Sequence, residues 1–124
     1  MRRAEITCSV VARPLPDQSR PESGAYAFAY TVTIRNTGDT PAQVVARHWV
    51  ITDAAGRVEE VRGLGVVGHQ PLLQPGEQFE YTSGSRLATP NGTMRGTYIC
   101  ITDDARVFEA PIPEFLLATS ASLH

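Results

Sequence analysis

A chain of 124 residues with 42% hydrophobic and 19% charged side chains has the size and composition of one folded domain rather than of a disordered segment. The formal net charge of -2 leaves no basic excess to neutralise phosphates, which argues against general nucleic-acid binding. All 11 cationic side chains are arginine, so a P-loop lysine, Schiff-base chemistry and a Ser-Lys dyad are excluded.

Nine prolines and ten glycines punctuate the chain at short intervals, as in all-β domains with many turns. A first strand is expected from Ile6 to Ala12, followed by a proline-rich loop over residues 13–23. Residues 26–34 give the clearest strand signal, with Tyr26, Phe28, Tyr30, Val32 and Ile34 on one face at period two. Asn36, Thr37, Gly38 and Asp39 then form a turn.

Residues 44–52 read as the next strand, with Ala46, His48 and Val50 on one face and Val45, Arg47, Trp49 and Ile51 on the other. A turn over Asp53 to Gly56 leads to a short polar strand, residues 57–61. The glycine segment follows and ends at the turn pair Pro75-Gly76. Further strands are expected at residues 79–83, 94–102 and 107–113, the last placed at a sheet edge by Pro111 and Pro113. The spacing of seven to eight short strands predicts a two-sheet antiparallel sandwich, immunoglobulin- or fibronectin type III-like. Residues 1–124 make one domain, with a core over about residues 4–117 and a flexible C-terminal tail.

Gly63, Gly65 and Gly68 have the spacing G-x-G-x-x-G. That fingerprint holds a pyrophosphate only where a helix opens on it. Here Pro71, Pro75 and Gly76 follow, so no helix can start, and the glycines fit a crossing between the two sheets better than a phosphate loop. Pyrophosphate or nucleotide binding at these three glycines stays as the alternative reading, with Arg62 nearby.

His48 and His69 are the internal histidines and the candidate metal ligands. Neither stands in a paired ligand motif with Cys8 or Cys100, and the two cysteines are expected to be unbridged. The acidic pairs Glu59-Glu60 and Asp103-Asp104 read as solvated edge and turn charge. No nucleophile, acid and base come together in the sequence, so no catalytic residue, no enzyme and no cofactor are expected. Arg47, His48 and Trp49 form the segment best suited to a contact surface, an interface if exposed and a core anchor if buried. The apolar runs fall far short of the roughly 20 residues of a membrane span, and the N-terminus lacks a signal-like apolar core. A cytoplasmic protein without membrane insertion is therefore expected.

Several segments in order resemble the ApaG family, also called CorD. They are Arg47 to Asp53, Val61 to Pro71, Leu73 to Glu77, Tyr81 to Gly84, Gly92 to Tyr98 and Ile112 to Leu116. The resemblance covers about residues 4–117. It implies a fibronectin type III-like sandwich and involvement in cobalt resistance and magnesium efflux. It also implies a protein-binding role, because related domains look like interaction modules. A protein partner is expected, with a homodimer left open. The family carries no established catalytic residues to transfer.

Overall fold

The computed structural model describes residues 2–119. Eight strands follow in chain order: β1 (Ile6–Pro14), β2 (Tyr26–Asn36), β3 (Ala42–Asp53), β4 (Val58–Leu64), β5 (Leu72–Leu73), β6 (Gln78–Leu87), β7 (Asn91–Thr102) and β8 (Val107–Ala118). One sheet has the order β1-β2-β6; the other has β4-β3-β7-β8, with β5 beside the start of β3. Every pairing is antiparallel. This is the expected two-sheet sandwich.

The alternation of β2 holds as read. Phe28, Tyr30, Val32 and Ile34 are buried between the sheets, facing Val44, Met94, Tyr98 and Leu117 from the other layer. Trp49 joins them, its ring edge-on to Tyr30 at 5.4 Å and to Phe115 at 6.0 Å. Such contacts between large apolar rings supply most of the burial free energy that holds two sheets together. Cys8 and Cys100 lie in this core as free thiols.

β6 and β7 run beyond the expected residues 79–83 and 94–102, to Leu87 and back to Asn91, and β5 is a further short strand. Three other differences from the sequence reading bear on the site. The segment over residues 13–23 is not simply a loop: β1 runs on to Pro14, and two short 3-10 turns follow at Pro16–Gln18 and Pro21–Ser23. Each turn opens on a proline, whose fixed φ suits that position. β8 continues past both prolines to Ala118, because an edge strand needs no donor on its outer side. Of the tail expected to fray, Ala118 ends β8 and Thr119 donates its N–H to the Pro90 carbonyl at 3.1 Å; residues 120–124 lie outside the described residues.

The third difference concerns the glycine segment. The chain does not change sheets at Gly63, Gly65 or Gly68, because β4 and β5 both pair with β3. Only the end of the segment crosses, at residues 74–77 with the expected pair Pro75-Gly76, and buried Asn36 organises it. Its side-chain amide donates to the Thr40 and Leu73 carbonyls, both at 2.9 Å. Its backbone carbonyl accepts from Gly76 N–H at 2.9 Å, and its N–H donates to the Glu77 carbonyl at 2.9 Å. Gly76 turns with a φ of 87°, a conformation that glycine adopts without a Cβ clash.

Candidate functional site: a groove on the open side of the sandwich

The two sheets close against each other where β1 packs on β8. On the opposite side β6 ends one sheet and β4 ends the other, and each pairs with one neighbour. Between these two edges runs a groove. Its floor and walls are Tyr30, Arg47, Trp49, Ile51 and Val61 at one end, passing Ser83, Gly84 and Ser85, to Glu59, Arg86, Arg57 and Leu87 at the other. The part over Trp49 holds about 190 Å³.

Which face of β3 looks into this groove is set by a bulge. The β3–β7 register passes from Val44↔Cys100 directly to Ala46↔Ile99, so Val45 is the extra residue. Ala42 and Val44 point inward before it; Arg47, Trp49 and Ile51 point inward after it. The Val45 carbonyl, displaced from the ladder, accepts from Gly65 N–H at 2.7 Å and from the Gln70 side-chain amide at 2.9 Å. Trp49 is thus the core anchor that period two allowed, and Arg47 is a charged residue on a core-facing row.

Arg47 is held in place by the backbone opposite it. It pairs with Gly63, and a Cβ on that glycine would stand 2.9 Å from the guanidinium carbon. The absence of a side chain lets the guanidinium lie against the β4 backbone. Its Nη1 donates to the Leu64 carbonyl at 2.8 Å and to the Gly65 carbonyl at 3.0 Å. None of the ion pairs among the described residues involves Arg47.

Gly65 and Gly68 have positive φ, 65° and 79°, in a tight turn where Val66 and His69 exchange backbone hydrogen bonds. The N–H groups of Gly65, Val66 and His69 are therefore engaged within the protein, and no helix follows. The spacing G-x-G-x-x-G serves here to seat Arg47 and to form this turn. The turn also reaches β6: the His69 ring lies 5.6 Å from Phe79. Behind Arg47, the Tyr81 and Tyr98 hydroxyls hydrogen-bond to each other. Burial pushes the Tyr81 phenol up to about 12 and raises Tyr98 further in the same direction. Beyond Arg47 this His69–Phe79 contact bridges the two edges, which makes the groove blind at that end.

His48 points to the other side of β3. Its Nε2 is 2.8 Å from Glu60 Oε1, which also accepts from Arg62 at 3.3 Å. The His48 hydrogen bond and then the Arg62 charge hold the Glu60 carboxyl below its ordinary range. The segment Arg47-His48-Trp49 is thus split, with its outer members in the groove and His48 on the outer sheet face. His69 stands apart from His48 on its own turn. Among the described residues no three His, Cys, Asp or Glu side chains come together as metal ligands. No helix among them is long and apolar enough to cross a membrane.

The sequence shows Ser83-Gly84-Ser85 without the G-x-S-x-G of a nucleophile elbow, and neither these serines as groove lining nor the Tyr81–Tyr98 pair was foreseen. A signal was present: Phe79, Tyr81, Ser83, Ser85 and Leu87 share one face of β6, and two serines in a core-facing row imply that the row leaves the core.

The model of the ApaG domain matches residues 16–102. The chain is 63% identical over 124 residues to a protein ApaG from Ralstonia nicotianae, covering all of both chains. It is 62% identical over 120 residues to a protein ApaG from Bordetella pertussis, covering 97% of this chain and 92% of that one. It also superposes on a crystal structure of the ApaA protein from Bordetella pertussis with a TM-score of 0.94 and 59% identity, covering 98% of this chain and 99% of that one. A shared fold, full-length coverage and this level of identity make the chain a member of the ApaG domain family.

Proposed function

We propose that this chain is a non-enzymatic interaction module that holds an extended segment of a partner protein in the groove between β4 and β6. One observation carries the reading: both walls of the groove are edge strands whose outer backbone groups have no strand partner among the described residues. An extended segment satisfies such groups by adding to the sheet, while its side chains fill the pockets between the layers. Glu59, Arg62 and Arg86 along the two edges disfavour indiscriminate strand addition and favour a segment of matching sequence. The involvement in cobalt resistance and magnesium efflux is read as acting through such a partner.

Octapeptides selected on the protein from a random library test this reading. The amide NMR signals of Val58–Leu64 and of residues 83–87 are expected to shift on binding. Shifts confined to the outer face of the β4-β3-β7-β8 sheet would place the contact elsewhere and reject the groove.

A further inference from the structure

We infer that the blind end of the groove is a receptor for a carboxylate, and that its occupant is the free C-terminus of an extended partner chain. The inference rests on the groove reading above and makes it specific. Arg47 is a half-buried cation without a carboxylate partner among the described residues. A charge in that position is costly unless something compensates it. The protein satisfies one side of the guanidinium by directing Nη1 to the Leu64 and Gly65 carbonyls. That leaves Nη2 and Nε as a pair of donors of the kind that matches a carboxylate. Ser83 and Ser85 line the facing wall and add hydroxyl donors. The ligand called for is acceptor-rich, compact and anionic.

The closed end selects a terminus over a side chain. The turn at residues 66–69 reaches across to Phe79, and the Tyr81–Tyr98 hydroxyl pair stands behind, so a chain running toward Arg47 must stop there. Before the stop, Trp49, Tyr30 and Ile51 offer an apolar bed for the last side chains. Phosphate is the less favoured anion, because the backbone presents the Leu64 and Gly65 carbonyls toward Arg47 and the Gly65, Val66 and His69 amides are engaged within the protein.

The test uses octapeptides with random last four positions, made in one series as free acids and in another as C-terminal amides. Binding is read from the fluorescence of Trp49, the single tryptophan. Free acids are expected to bind about ten-fold or more tightly than the same sequences amidated, the worth of a charge-assisted hydrogen-bond pair. Arg47→Gln should remove the difference. Gly63→Ala, which keeps the arginine but displaces its guanidinium, should reduce it; circular dichroism checks that both variants fold. Equal binding of acids and amides at the groove would overturn the carboxylate inference and leave the peptide groove standing. Selection of internal Asp or Glu regardless of the terminus would overturn it in favour of a side-chain carboxylate. Binding by neither series would overturn both readings.

Discussion

Gly96 and Gly63 both lie in strands paired with β3, yet the structure predicts different consequences for adding one methyl group. A Cβ on Gly96 would fall well inside contact distance of the His48 carbonyl oxygen and 3.2 Å from Trp49 Cε3. The first atom is backbone of the central strand β3, and the second belongs to a ring wedged between Tyr30 and Phe115. Neither can yield without opening the β3–β7 ladder. Overpacking of this kind costs about 1–3 kcal/mol, offset by about 0.4–1 kcal/mol from the reduced freedom of the unfolded chain. Gly96→Ala should therefore lose about 1–2 kcal/mol net, lowering the urea midpoint by about 1 M for a typical slope. At Gly63 the nearest atoms, 2.9–3.0 Å away, are the guanidinium end of Arg47, a flexible side chain at the groove surface. Gly63→Ala should stay within about 0.5 kcal/mol of the parent, since the arginine can swing aside. Urea titration followed by Trp49 fluorescence compares the two. Equal losses, or an unchanged midpoint for Gly96→Ala, would show that the close approach across the β3–β7 ladder is not a tight one.

Removing the Tyr98 hydroxyl alone leaves that of Tyr81 buried without its partner, so Tyr98→Phe should cost about 1–3 kcal/mol in urea unfolding, and Tyr81→Phe with Tyr98→Phe less than the sum of the single changes. Stability should also fall in alkali. Burial raises the Cys8 and Cys100 thiols from 9.0 to about 12 and the Tyr81 phenol from 10.0 to about 12. The folded protein keeps these protons where the unfolded chain has lost them. Stability is then full below about pH 9 and declines as the pH rises toward 12, by about 1.4 kcal/mol per pH unit for each group in its window. Unfolding curves between pH 8 and 11 that superpose would refute this.

Much of the sandwich was legible because its strongest signal is local. Five alternating apolar residues in β2 place that strand without any knowledge of its neighbours, and Pro111 with Pro113 places β8 at an edge. What the chain concealed were relations between distant segments. Period two divides β3 into two faces and contains nothing to say which is inside, because the deciding feature is the extra residue Val45, visible only in the register with β7. The sheet crossing was assigned to the whole glycine segment because those glycines look alike in sequence. In the fold Gly63 seats Arg47, Gly65 and Gly68 form a turn within one sheet, and only Gly76 belongs to the crossing. The groove was hidden for the same reason. Two serines in a core-facing row of β6 show that the row leaves the core, but that they line a groove is seen only when β6 ends its sheet opposite Arg47.

Three local departures from an ideal sandwich meet at Arg47: a bulge in a central strand, a glycine within β4, and a charge on a core-facing row. Each weakens the fold relative to an uninterrupted apolar alternation, and natural sequences keep such departures mainly where function needs them. A structural role and a recognition role for Arg47 diverge under Arg47→Leu. If the guanidinium serves chiefly to brace the Leu64 and Gly65 carbonyls, losing both Nη1 bonds should cost about 1.5–3 kcal/mol or more. If Arg47 serves to receive an anion, the leucine adds apolar surface beside Trp49 and relieves a half-buried charge, so stability should stay within about 1 kcal/mol or rise. The second outcome is expected, accompanied by loss of the preference for free-acid peptides. A variant clearly destabilised yet still preferring free acids over amides would make Arg47 a brace for the turn and return the groove to an uncharged binding surface.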